Sequence, residues 1–437
     1  MSGAEAIAGT RVWTARAGWL LNGDAPPLRN LRIAIEGGRV VGLEPHDGCR
    51  VDWDFGDCVV VPGWVNAHTH LEFGMLAEPT PPRSVPVPFS EWLRELIAAR
   101  RTAAAEQSVE TLRNERRLGV VASLAELARA GVTTVGEIAR PDWPIETIAG
   151  PLDTLVFLEL LGLSPSRVEP LLAAARAHVD RSSDPGSPFQ AGLSPHAPYT
   201  VHPELLVGAC RISRERRVPL AMHLAESGDE LELLRSHSGA LVETLREFDA
   251  WEPAALPRGL TPRDYLEQLA GAWRGLVVHG NFLGAEDWRR LAEMRDRLSV
   301  VYCPRTHSRF VPTPYPLAEM LAAGVRMALG TDSRATNPDL DFLAELRWVA
   351  ANHPAVAPGE LLRMATSDAA AALGLSDRGV VDVGRRADFA VMQPPTGPVN
   401  NPWEWLNDDR WTIRHVLYAG KPRSMFEKKR FSGAGPG

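Results

Sequence analysis

Short runs rich in Val, Leu and Ala recur along the middle of the chain, separated by stretches long enough for a helix. That is the pattern of alternating β and α units. The spacing predicts strands over 59–70, 132–139, 154–162, 191–198, 219–227, 275–283, 298–306 and 326–333. These runs are apolar throughout rather than alternating, as in parallel strands buried on both faces. Intervening segments such as 203–217 and 316–324 read as helices, the second stopped by Gly324. The implied fold class is α/β, a (β/α)8 TIM-like barrel.

The flanks have a different character. RVWTARAGWLLNGD, LRIAIEGGRVVGLEP and VDWDFGD near the start are β-rich, as are GVVDVGRRADFAVM and WTIRHVLYAGKP near the end. Distant β segments can pair beside a barrel. The predicted organisation is a small β-sandwich domain built from both chain ends, 1–57 and 376–437, flanking a barrel over 58–375. No internal repeat is evident. PTPPRSVPVP (79–88) and PPTGPVNNP (394–402) read as loops. The first follows strand one, where it either overhangs the barrel mouth or serves as a passive connection.

Composition narrows the function classes. With 437 residues, 45% apolar and 23% charged, the chain can bury a large core. No apolar run approaches a membrane span, and MSGAEAIAGTRVW lacks the basic-then-apolar build of a signal peptide. A net charge of −7 argues against nucleic acid as the main partner. The cysteines (Cys49, Cys58, Cys210, Cys303) form no CxxC pair and read as reduced, cytoplasmic thiols. The expected partner is a small-molecule substrate, with no nucleic acid and no membrane; self-association into a homo-oligomer is left open. Lysine occurs only at Lys421, Lys428 and Lys429. Nothing earlier can therefore serve as a Schiff-base or carbamylated, metal-bridging lysine.

The candidate chemistry lies where the apolar runs end. VVPGWVNAHTH ends in His68 and His70, which project to one face of a strand. Alone, such a pair is either half of a metal site or two ordinary polar residues. Other runs, however, end in Glu137, His196, His223 with Glu226, His279 and Asp332. Active sites of this barrel sit at the C-terminal ends of its strands, so these groups converge on one site.

PGWVNAHTH, HLAES, VVHG, CPRTH and GTDS, in this order and at barrel-strand spacing, resemble the amidohydrolase superfamily. Within it they look like the branch of cytosine-deaminase-like, chlorohydrolase-like and adenosine-derivative deaminases. The resemblance spans nearly the whole chain, including the split β-sandwich and GRRADFAV. Zinc or ferrous iron accepts imidazole and carboxylate ligands. His68, His70, His223 and Asp332 make such a set and are the positions that the resemblance implies. Binuclear relatives carry a carbamylated lysine on strand four; here that strand offers Ser194 and His196, so one divalent metal, Zn2+ or Fe2+, is expected. Asp332 doubles as acceptor of the attacking water's proton, and Glu226 is the expected proton shuttle to the leaving group. His279 is expected to orient the water or stabilise charge on the adduct.

His196 resembles a substrate-contacting position of the branch. Where relatives commonly carry an Asn, this chain has His307. With Arg305, Arg309 and Arg334 it is expected to ring the mouth and meet a substrate carboxylate. His178, His202, His237, His353 and His415 read as surface residues. The predicted reaction is hydrolytic deamination of an aminated heteroaromatic ring. A purine or purine-nucleoside derivative is the expected substrate, an anionic aminofutalosine-type nucleoside among the candidates. The alternative is hydrolysis at the same site with halide or an acyl group departing; Glu226 favours ammonia, which needs more proton delivery. A non-catalytic barrel used for binding or assembly would have lost ligands, and none is lost.

Overall fold

The apolar run at 59–70 divides at Pro62–Gly63 and serves two sheets. The structure, a computed structural model, describes residues 11–423 apart from 24, 78, 80–86, 145–151 and 396. At the chain's start lie β1 (Trp13–Leu20), β2 (Leu28–Glu36), β3 (Arg39–Pro45), β4 (Trp53–Asp54) and β5 (Val59–Pro62). Eight parallel strands follow: β6 (Trp64–Thr69), β7 (Val132–Ala139), β8 (Asp153–Leu160), β9 (Gln190–Pro195), β10 (Leu220–Leu224), β11 (Gly275–His279), β12 (Leu298–Tyr302) and β13 (Met327–Leu329). The chain then returns through β14 (Phe389–Gln393), β15 (Thr412–Tyr418) and β16 (Lys421–Arg423).

β6 to β13 pair in sequence order into one sheet, and a parallel bridge between Thr69 and Asp332 joins its two edges. Every residue of β6, β7, β10, β11 and β12 is buried, which is why these runs carry no alternation. Helices such as Pro203–Arg216 and Leu317–Ala322 occupy the expected intervals. The link from β7 to β8 lies partly outside the described residues, and the 79–88 stretch largely so.

Both chain ends build the second sheet, in the order β16-β15-β14-β5-β1-β2-β3 with β4 also on β1. Its core includes Ala17, Ile33, Phe55, Val60, Phe389 and Leu417. β5 belongs here because Gly63 N donates to Asp388 O at 2.9 Å, while Trp64 N donates to Gly131 O at 3.1 Å beside β7. The backbone thus changes partners across one peptide unit, which hydrophobicity alone does not reveal.

Helix Val109–Arg129 is started by Ser108, whose side chain accepts from Thr111 N. It presses directly on the turn that follows His70. A Cβ at Gly119 would lie 2.4 Å from Glu72 O, and one at Gly74 would lie 2.1 Å from Gly119 O. Ser123 Oγ donates to Leu71 O at 2.9 Å. Because the obstructing atoms are backbone, Gly119→Ala is expected to overpack this contact by about 1–3 kcal/mol. Thermal unfolding should show a lowered midpoint; an unchanged midpoint would mean that the helix shifts freely.

Candidate active site

The barrel closes at the residues that the sequence singles out. Asp332 N donates to His68 O at 3.1 Å, and Asp332 O accepts from Thr69 Oγ1 at 2.6 Å. Asp332 adopts a left-handed backbone (φ 54°), as do His279 (φ 72°) at the end of β11 and Ala225 (φ 54°) just beyond β10. A non-glycine pays for that conformation and keeps it only where its surroundings over-determine it. All three positions flank the same space.

Side chains from β6, from β10 and from beyond β13 meet there. Ligand atoms of His68, His70 and His223 all lie within 4.8 Å of one another. Asp332 Oδ1 stands 3.6 Å from His68 Nε2 and 3.8 Å from His70 Nε2. His223 Nδ1 lies 3.0 Å from His196 O, which leaves Nε2 for a ligand role. His68 is fully buried, yet neither of its ring nitrogens has a hydrogen-bond partner. Burial holds the pKa of His68 and His70 well below the ordinary imidazole value and lowers that of His223 to about 4. Neutral imidazoles with unmet lone pairs beside a carboxylate fit a divalent ion such as zinc. Thr336 Oγ1 donates to Asp332 Oδ2 at 3.1 Å and steadies the carboxylate from behind.

Glu226 and His279 stand beside this set, with Glu226 Oε1 3.4 Å from His279 Nε2. Burial first, then repulsion from Asp332 and Glu230, raises the Glu226 carboxyl well above the usual carboxylate range. The turn that carries it is held by Glu230, which accepts from Ala225 N at 2.8 Å and Glu226 N at 3.0 Å. Sequence reading missed Glu230, although Ser227 and Glu230 have the S-x-x-E spacing of a helix start. Glu137 is no part of the cavity wall: it accepts from Leu71 N at 2.8 Å and Trp143 Nε1 at 2.9 Å. Its carboxylate secures the residue that follows His70.

These groups open on a cavity of about 260 Å³ whose wall includes His70, His196, His223, Glu226, His279 and Asp332. His196 Nδ1 lies 2.7 Å from Thr200 Oγ1, and both residues face the cavity with Tyr199. Phe73, Phe89, Trp92, Leu93, Leu96, Ile97 and Ile138 supply apolar surface.

The expected ring of Arg305, His307, Arg309 and Arg334 does not line this cavity. Arg305 is engaged by Glu345 and Asp339 at 2.6 and 2.7 Å. Arg334 reaches Glu126 at 2.9 Å and Leu76 O at 2.8 Å. His307 packs against Tyr302 and Tyr315, and Arg309 is buried outside the cavity wall. The guanidiniums on the wall are Arg100 and Arg140, joined by Glu72 and Glu159. Sequence spacing could not reveal Arg100, because helix Phe89–Glu106 carries it across to the mouth. Two histidines read as surface residues are buried instead: His178 Nε2 meets Val156 O at 2.8 Å, and His353 Nε2 meets the Tyr302 hydroxyl at 3.2 Å.

Residues 59–422 match the amidohydrolase family. The chain is 29% identical over 409 residues to the 5-methylthioadenosine/S-adenosylhomocysteine deaminase of Pyrococcus furiosus, covering 89% of each chain. Its fold matches that of aminofutalosine deaminase from Helicobacter pylori, solved with methylthio-coformycin. The TM-score is 0.79 at 21% identity, covering 94% of this chain and 100% of that one. An adenosine deaminase from Xanthomonas campestris with bound zinc matches with TM-score 0.74 at 23% identity, covering 94% and 92%.

Thr336→Val removes the hydroxyl behind Asp332 with little change in shape. It is expected to lower zinc affinity roughly 10–100-fold, the usual cost of losing a group that orients a ligand. Competition against a chelator measures this. Unchanged affinity would show that Asp332 keeps its position without Thr336.

Proposed function

The chain belongs to the amidohydrolase family, and from that premise we propose a metal-dependent hydrolytic deaminase acting on an aminated purine or purine nucleoside. One divalent ion, zinc with ferrous iron as the alternative, is held by His68, His70, His223 and Asp332. The observation that carries this reading is the opening of His70, His223 and Asp332 of that set, together with the Glu226–His279 pair, onto one cavity. The Pyrococcus furiosus relative is named for two compounds that each contain an adenosine, which supports the purine. An anionic nucleoside of the aminofutalosine type stays within the proposal, with Arg100 and Arg140 as the guanidiniums at hand. The unpaired cysteines fit a cytoplasmic setting, and no helix among the described residues is long and apolar enough to cross a membrane.

A divalent ion in this set supplies a water activated near neutral pH. Asp332, whose Oδ1 faces the same space, would accept the proton of the attacking water. Glu226, whose burial favours the protonated carboxyl, delivers a proton to the departing amine. His279, 3.4 Å from Glu226 Oε1, orients the water or stabilises charge on the adduct. The balance is R–NH2 plus H2O giving R–OH plus NH3, the hydroxyl settling as the ring carbonyl. The apolar walls hold the heterocycle and exclude bulk water.

Protein loaded with excess zinc and then dialysed should retain close to one equivalent by elemental analysis. Retention of two would contradict a mononuclear site. His68→Ala should remove both the bound metal and the activity.

Glu226→Gln should keep the metal and lose at least about 10²-fold in ammonia release, the scale of a general acid–base group. The assay takes aminated purines, with pyrimidines, pterins and triazines as comparisons. Near-normal release by the variant with metal retained would assign Glu226 no proton transfer.

A further inference from the structure

The other carboxylates enclosed around this end of the barrel are met by groups of the protein. Glu137 and Glu230 accept from the donors described above. Glu345 accepts from Arg305 Nε at 2.6 Å and Asn337 Nδ2 at 3.2 Å. Glu226 faces His279. Glu159 differs. It precedes the last residue of β8, pairs in register with Ser194 of β9 and lines the cavity. Among the described residues nothing donates a hydrogen bond to its carboxylate or forms an ion pair with it.

Glu159 is half-buried, and a ligand that fills the cavity would take water away from a carboxylate that no protein group serves; that loss is costly unless the ligand itself supplies donors. Desolvation raises the pKa of this carboxyl, and the guanidiniums of Arg100 and Arg140 oppose that rise. Arg100 is already engaged by Glu72 at 2.5 Å. The cavity is therefore where the missing donors must come from. A second carboxylate brought against Glu159 would be repelled, whereas hydroxyl or ammonium groups would supply what it lacks.

We propose that Glu159 is a specificity-determining residue that accepts hydrogen bonds from donors, hydroxyl or ammonium, on the part of the substrate remote from the reacting amine. This rests on the deaminase reading above. It leaves Arg140, which also lines the cavity, for acceptor groups elsewhere on the same ligand.

The test separates binding from turnover. Purine riboside lacks the leaving amine, so its binding to metal-loaded protein can be followed by calorimetry. It is compared with its 2′,3′-dideoxy, 5′-deoxy and 5′-amino-5′-deoxy analogues in wild type, Glu159→Leu and Glu159→Gln. Metal content of each variant confirms that the site is assembled. Wild type is expected to bind at least one donor-bearing compound about tenfold more tightly than its counterpart without that donor. Glu159→Leu should abolish that preference. Glu159→Gln should retain it for a hydroxyl and lose it for an ammonium. If all three proteins rank the compounds alike, or wild type shows no preference, the proposal is overturned. Ammonia release from adenosine, measured in parallel, tests the other reading. Release with rankings independent of Glu159 defeats this proposal alone; rankings that depend on Glu159 without release defeat the deaminase reading alone.

Discussion

The short seam between β6 and the residues after β13 is the constraint on which the rest depends. Its hydrogen bonds, Asp332 N to His68 O and Thr69 Oγ1 to Asp332 O, join the sheet's edges and also set the backbone of two proposed ligands. A sheet left open here would leave edge groups unpaired and would separate His68 and His70 from Asp332. Closing it places a left-handed residue at Asp332, a cost that the surrounding ladder offsets. Gly330 permits the approach: a Cβ there would lie 2.9 Å from His68 O. The supports spread outward from this seam. Thr336 stands behind Asp332, Glu137 ties down Leu71, and helix Val109–Arg129 presses on the turn after His70.

One physical effect, withdrawal from water, prepares opposite groups for different tasks. It disfavours charge on every side chain. The imidazoles of His68, His70 and His223 are thereby kept neutral, with lone pairs free for a cation. The same effect inclines Glu226 to hold a proton, which the proposed reaction needs for its departing amine. A polar, solvated bowl with the same residues would favour the imidazolium and carboxylate forms. The apolar wall from Phe73, Trp92, Leu96 and Ile138 is thus part of the chemistry as well as the binding surface.

Much of this was legible in the sequence, and the failures share a cause. β7 follows the expected bounds, 132–139, because a fully buried parallel strand is an unbroken apolar run. The convergence of His68, His70, His223, Glu226, His279 and Asp332 was readable because strand ends in a barrel share one face. The division of 59–70 was not, since both halves are equally apolar and only their partners differ. Arg305 and Arg334 were misplaced because long side chains go to their counter-charges, and Glu345 and Glu126 are remote in sequence. His178 and His353 were misread because one backbone or phenol oxygen suffices to bury an imidazole. Glu159 lay hidden inside TLVFLEL, where one acidic residue carries no local signal.

The most direct measurement follows oxygen. Metal-loaded protein turning over adenosine or a derivative in 18O-labelled water should release ammonia and place one 18O on the ring carbon that lost it, in equal amounts. Product without label, or a fully metal-loaded enzyme that releases no ammonia from any aminated purine, would contradict the account.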